Sequence, residues 1–355
     1  MESVRGLKFK TDVPVDPVTQ QQIAHRLQAS LQKSLPAGYL ARRSQAWQTI
    51  GAIPAGTDIR TALVKFLSGN VIGYYEPTTG QLVFVGTRSP SPIEQVTLAH
   101  ELTHAIDDQH FDLTRVDAIQ RACQDEAGSA ALATIEGSAV FFSFQVAQRY
   151  FSLGDLGGLL SQSAPAPAGV PPFIVQMEIW PYIAGLEFIT ALDTRGGTAA
   201  VDHAIRHLPT STEQVIHPER YPNDQPQSVN IPDLGPKLGG AWKDLDVEQI
   251  GEEWLSALLG LRQDQTSAAT AAAGWDGGLV RSWTDERHTA VVLSTVWDTS
   301  RDAEEFATAM RRWLSAAPGR PVSVEPVSGL SVKVLFASDP GTLRRLRVAG
   351  ASPRA

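Results

Sequence analysis

Apolar residues recur at helical spacing through the amino-terminal part of the chain. Residues 17–35 carry Val18, Ile23, Leu27 and Leu31, and Leu40 to Ile50 and Ile59 to Leu67 continue the pattern, with Thr57 and Asp58 as cap candidates. Asn70 to Tyr75 and Gln81 to Val85 flank the turn Glu76-Pro77-Thr78-Thr79-Gly80 and predict a β-hairpin with a longer loop. Beyond Gly86, Ser91 can cap a helix, Pro92 suits its first position and Glu94 completes a capping box, so a helix is predicted to about Gln109. A second long helix, rich in small residues, is predicted from Ala118 to about Phe151. Ser152 to Pro172, rich in Gly, Ser, Ala and Pro, reads as a loop or flap. Helices over 173–192 and 197–207, irregular surface chain over 208–246 and a helix near 247–262 follow.

The last 80 or so residues change character. Leu279 to Trp283, Ala290 to Trp297, Val322 to Glu325 and Val332 to Phe336 read as strands, with a helix from Ala303 to Leu314 between the second and third. This β-β-α-β-β order predicts a small α+β unit, preceded by a connector or short helix over 267–273. The expected fold class is therefore α+β, mainly helical. The expected division is an N-terminal helical region with the hairpin (1–90), a helical region holding the chemistry (91–265) and the small C-terminal unit (266–355).

Composition narrows the function classes. The chain has 355 residues, 43% hydrophobic and 19% charged, an ordinary globular balance that can bury a core without disulfides. No run of about 18 apolar residues occurs, so no integral membrane segment is expected. The start, MESVRGLKFK, has no apolar core, so no secretory signal is expected; a cytoplasmic and an exported location both stay open. A net charge of −8 argues against a nucleic-acid binder, and Arg311, Arg312, Arg344, Arg345 and Arg347 read as solvated helix faces. The single cysteine, Cys123, cannot form an internal disulfide and reads as an inert buried thiol.

Chemistry concentrates inside the capped helix, at His100-Glu101-Leu102-Thr103-His104. Residues four apart share a helical face, so both imidazoles can reach one ion, while Glu101 is rotated beside it. Two neutral nitrogen ligands and a carboxylate able to take a proton from metal-held water are what a zinc hydrolase needs. The ion lowers the pKa of that water towards about 7. Catalytic zinc commonly has three protein ligands, and three residues compete for the third place. Glu136 leads: it lies on the next long helix, flanked by Ala130, Ala131, Ala133, Gly137, Ser138 and Ala139, whose small side chains permit a close helix approach. Glu126 lies on a different face of that helix. His110 has the metzincin spacing, but Asp107 stands where that pattern needs a glycine.

The run Thr97 to Phe111, with Ile135-Glu136-Gly137 downstream, resembles the gluzincin type of zinc metallopeptidase and, more closely, a group of bacterial proteins of that type. Arg5-Gly6-Leu7, Gly73-Tyr74-Tyr75-Glu76-Pro77, Trp180-Pro181-Tyr182, Ser211-Thr212-Glu213-Gln214, His217-Pro218-Glu219, Ala273-Gly274-Trp275 and Val296-Trp297-Asp298 carry the same resemblance across most of the chain. Two places depart from it: Ser138 stands where an acidic residue is expected, and Asp276-Gly277-Gly278 follows Trp275 in place of Gly-Gly-Asp. The resemblance implies a zincin-like, thermolysin-like active-site helix pair with a small β-sheet. It implies one zinc ion held by His100, His104 and Glu136, with Glu101 as general base.

Supporting roles follow. Asp107 or Asp108 could accept a hydrogen bond from a ligand imidazole. His217 is a candidate donor to the oxyanion of a tetrahedral intermediate, with Tyr75 and Tyr182 as weaker ones. The strand Leu82 to Val85, if at a sheet edge, could add a peptide as an extra strand. The expected function is a zinc metallopeptidase acting on a peptide or protein substrate. The rivals are a catalytically silent, zinc-stabilised binding or scaffold protein, and a zinc hydrolase of a non-peptide amide or ester.

Overall fold

A computed structural model describes residues 1–86, 89–152, 155, 168–317 and 319–350. The chain is a mixed α+β protein with two sheets. Helices α1 (Glu2–Arg5), α2 (Gln20–Ser34), α3 (Tyr39–Ile50) and α4 (Ile59–Asn70) open it, with β1 (Val15–Pro17) between the first two. The hairpin β2 (Gly73–Glu76) and β3 (Gln81–Phe84) follows. Then come α5 (Pro92–Phe111), α6 (Thr114–Arg121), α7 (Asp125–Tyr150) and α8 (Pro172–Arg206), the last two helical stretches joined at non-helical Gly196 and Gly197. Short α9 (Thr212–Ile216) and α10 (Gly235–Leu238) lead to β4 (Lys243–Gln249), α11 (Glu252–Gly260) and α12 (Gln265–Ala272). The chain closes with β5 (Trp275–Thr284), β6 (Thr289–Trp297), α13 (Ser300–Ser315), β7 (Val322–Val324), β8 (Ser331–Ala337) and α14 (Pro340–Gly350).

The small sheet has the order β1-β3-β2, with β1 parallel and β2 antiparallel to β3. This corrects an expectation. The Leu82 to Val85 segment is not an edge, because β1, too short and too polar to read as a strand, pairs with its far side. β2 is the edge that faces α5.

The large sheet has the order β4-β5-β6-β8-β7, antiparallel throughout. Side chains alternate between its faces. Val291, Leu293, Val334 and Phe336 join one core with Trp47, Phe173, Trp254, Trp297 and Trp313, while Ala290, Val292 and Leu335 join another with Trp242, Trp283 and Leu346. The expected β-β-α-β-β order holds for β5 to β8, but the sheet also takes in β4, from the stretch read as irregular. In β4, Asp246 and Glu248 are buried on Arg43, so paired charges occupy positions where apolar residues normally announce a strand. The helix expected near 247–262 accordingly starts only at Glu252.

A third core is helical. α7 packs against α8 and α5, and Phe111, Ile135, Phe142, Phe188, Ile189 and Ile205 fill the space between them. Among the described residues α7 is the single helix long and apolar enough to cross a membrane, and most of that stretch is buried inside the molecule. The helix predicted from Ala118 is in fact two, broken between Arg121 and Asp125, where Cys123 takes a left-handed φ of 54°. No glycine or proline marks that break. Cys123 itself is half-buried rather than buried. The loop expected over 152–172 lies mostly outside the described residues.

Candidate metal centre

The Ser91 cap forms as its sequence requires: its side chain accepts from the Glu94 N–H, and the Glu94 carboxylate accepts from the Ser91 N–H at 2.7 Å. The helix so anchored runs unbroken past His104. His100 and His104 stack one turn apart, ring centroids 4.7 Å apart at 86°. Glu136 reaches them from α7. On its other side α7 is pressed against α8: a Cβ on Gly137 would lie 2.2 Å from the Gly185 backbone, and one on Gly185 would lie 2.0 Å from the Ala133 carbonyl oxygen. A larger residue at either glycine would force α7 and α8 apart at that crossing.

The three ligand atoms converge. His100 Nε2 lies 3.0 Å from His104 Nε2 and 3.1 Å from Glu136 Oε2, and His104 Nε2 lies 3.5 Å from the same oxygen. Among the described residues no other group of three or more histidine, cysteine or acidic ligand atoms lies within 4.8 Å of one another. The donor set fits zinc. Ligands about 2.05 Å from a tetrahedral ion stand about 3.3 Å from each other, the spacing present here. The charge also fits. Burial opposes ionisation of Glu136, yet the His104 charge and bonds to both imidazoles hold its carboxyl well below the usual range. Burial likewise opposes a charge on His104, yet Glu136 raises its pKa to about 9. A proton on His104 thus balances the carboxylate, and a metal ion where these atoms meet would take that proton's place.

Glu101 is 6% exposed and lies beside this cluster. Its Oε2 accepts the Tyr75 N–H at 2.8 Å, so the edge strand β2 holds the carboxylate. The Tyr75 hydroxyl donates to Asp108 Oδ2 at 2.8 Å, pinning β2 to α5 a second time. Tyr75 is therefore engaged away from the cluster. Tyr182 is at it: its ring stacks on His100, centroids 6.1 Å apart at 26°. The Glu136 charge, followed by burial, pushes its phenol well above the ordinary value.

Several expected residues do other work. Asp107 bonds Arg5 Nε at 2.7 Å and the Ser138 hydroxyl at 2.9 Å, and Asp108 accepts from Tyr75 and the Leu113 N–H, so neither aspartate bonds a ligand imidazole. Their carboxylates point off the ligand face, to partners on the N-terminal segment, α7 and β2. His110 Nε2 bonds the Lys8 carbonyl, and Glu126 accepts from the Thr212 N–H and hydroxyl, so neither competes with Glu136. His217 stands apart from the cluster; its Nε2 bonds Glu252 Oε1 at 3.1 Å, and that bond raises its pKa. The described contacts of His217 therefore give no support to an oxyanion role.

Arg5, which nothing in its local sequence marks as buried, is fully buried. Its guanidinium lies 4.7 Å from the Phe142 ring centroid, bonds Asp107 and faces Asp202 at 2.7 Å. The apolar neighbours needed to foresee this burial come from α5 and α7, far away in sequence.

Residues 241–340 match the model of a family described as a domain of unknown function (DUF8575). The match spans β4 to β8 and does not reach His100, Glu101, His104 or Glu136. No curated protein and no solved structure matches the chain.

Proposed function

We propose that the protein is a zinc-dependent metallopeptidase. The observation that carries this reading is the convergence of His100, His104 and Glu136 to within 3.5 Å, with the Glu101 carboxylate held alongside by a strand edge. A zinc ion in that position would supply Lewis acidity, making water available as hydroxide near neutral pH and polarising the scissile carbonyl.

The chain's own residues would do the rest. Glu101 takes the proton of the attacking water and hands it to the leaving nitrogen. The Tyr75 N–H keeps that carboxylate oriented. Tyr182, beside His100 and 43% exposed, is the side chain best placed to donate to the developing oxyanion.

The test is metal content and turnover measured together. The parent should bind one zinc per chain and cleave members of a broad peptide library. Glu101→Gln should keep the metal and lose at least about 100-fold in turnover, the range of a general base. Equal turnover by parent and variant would refute the proposal. Turnover of esters or non-peptide amides alone would favour the second hydrolase reading, and zinc binding without turnover the scaffold.

A further inference from the structure

A cavity of about 280 Å³ opens between α3, α7, α8 and α11. It shares α7 with Glu136 and α8 with Tyr182, although no side chain of the cluster lines it. On α7, Leu132 and Ser129 line it four and seven residues before Glu136, which places them about 6 and 10 Å along the helix axis. On α8, Glu178 lines it one turn before Tyr182.

Its charge is lopsided. Asp125, Glu126, Glu178, Glu248 and Glu253 face it with a single cation, Arg43. Arg43 is already committed, bonded to Asp125, Asp246 and Glu248, and Glu248 also accepts from the Trp47 and Trp254 indoles. Three acids are left over. Glu126 has only Thr212. Glu178 has no hydrogen bond or ion pair among the described residues. Glu253 is 2% exposed, and its Oε1 is buried with no partner. An unpaired buried carboxylate oxygen is costly, and the Glu253 Oε1 on this cavity, with the weakly partnered Glu126 and Glu178 beside it, would be satisfied by a cation. No three of these acids bring ligand atoms within 4.8 Å of one another, so they are too spread for a bare metal ion. Trp47, Trp180 and Trp254 supply an apolar wall that suits a stem and attracts a cation over its rings. The volume falls just under the roughly 300–1,000 Å³ of common ligand pockets, which suits one side chain.

We infer that this cavity is the pocket for a cationic side chain, lysine or arginine, of the peptide substrate. The identification as part of a substrate rests on the peptidase reading; the affinity for a cation does not. The same burial pushes Glu126 and Glu178 up to about 7 and, with the charge of Glu126, Glu253 to about 8. A bound cation would reverse that rise.

The zinc-loaded Glu101→Gln protein, titrated calorimetrically with N-acetyl-arginine amide and N-acetyl-citrulline amide, tests the pocket without turnover. Arginine should bind at least about tenfold more tightly, the scale of one charge-assisted hydrogen bond. Adding Glu178→Gln and Glu253→Gln should lower arginine affinity at least about tenfold and leave citrulline unchanged. Equal affinities in the parent background, which needs no pocket variant to fold, would overturn the inference, as would no binding of either. The zinc-loaded parent is assayed beside it on peptides containing lysine, arginine or norleucine. Arginine binding without cleavage of any peptide would uphold the pocket and count against the peptidase. Cleavage indifferent to basic residues, with equal affinities, would do the reverse.

Discussion

Glu253→Gln isolates the cost of the leftover acid. Burial and the charge of Glu126 raise the Glu253 carboxyl from 4.5 to about 8. The folded state therefore holds a proton that the unfolded chain releases. Stability is undiminished below pH 4.5 and falls as the pH climbs from there to about 8. At about 1.36 kcal/mol for each pH unit the loss approaches 5 kcal/mol above pH 8. Water entering the cavity screens part of it, leaving about 3 kcal/mol as the working figure at pH 9. The amide is nearly isosteric with the protonated acid and cannot ionise. Urea unfolding should give parent and variant within about 1 kcal/mol of each other at pH 5, and a variant about 3 kcal/mol more stable at pH 9. A stability difference that is the same at both pH values would show that Glu253 is not held protonated by its surroundings, and the charge argument for the cavity would fall with it.

Three further outcomes follow from the packing. Glu136→Ala removes the charged ligand from between two imidazoles, so zinc affinity measured by chelator competition should fall at least about 100-fold, since even residues that merely orient ligands cost 10- to 100-fold. Gly185→Ala forces a Cβ to within 2.0 Å of the Ala133 carbonyl oxygen, so thermal unfolding should report a loss of about 1–3 kcal/mol and zinc affinity should drop with it. Arg5→Ala strands the buried Asp107 and should cost about 3–5 kcal/mol in urea unfolding, with rescue when Asp107→Asn is added.

The cluster of His100, His104 and Glu136 was legible in sequence because most of its parts are local. A capping box, a four-residue spacing on one helix face and a run of small residues around Glu136 need no tertiary knowledge, and the structure brings those three side chains to one point. The hairpin was equally local. Charge buried by partners from elsewhere was not. β4 reads as polar because Asp246 and Glu248 meet Arg43, some 200 positions earlier. β1 has only three residues and exists through its pairing with β3. The break at Cys123 has no glycine or proline, and the chain turns there through a left-handed residue that sequence rules treat as rare. The partner of His217 was not legible either: Glu252, which bonds its Nε2, lies 35 positions later.

Two independent holds set the geometry of the cluster, and they need not fail together. Asp107 follows His104 by three residues, and Ser138 follows Glu136 by two; their 2.9 Å bond ties α5 to α7 within one turn of the ligands without touching them. Arg5, bonded to the same aspartate and stacked near Phe142, fastens the chain's first residues to that tie. An acidic residue at position 138, as the resemblance led one to expect, would set two carboxylates against each other there, so the serine and the arginine belong to one solution. Glu101 is held differently, by a strand edge through the Tyr75 N–H, with the Tyr75 hydroxyl fixing that edge to Asp108. Loosening the α5–α7 tie should therefore act first on metal affinity, and loosening β2 first on turnover with the metal retained. A backbone donor on Glu101 is insensitive to side-chain substitution, whereas the Asp107 tie depends on three side chains.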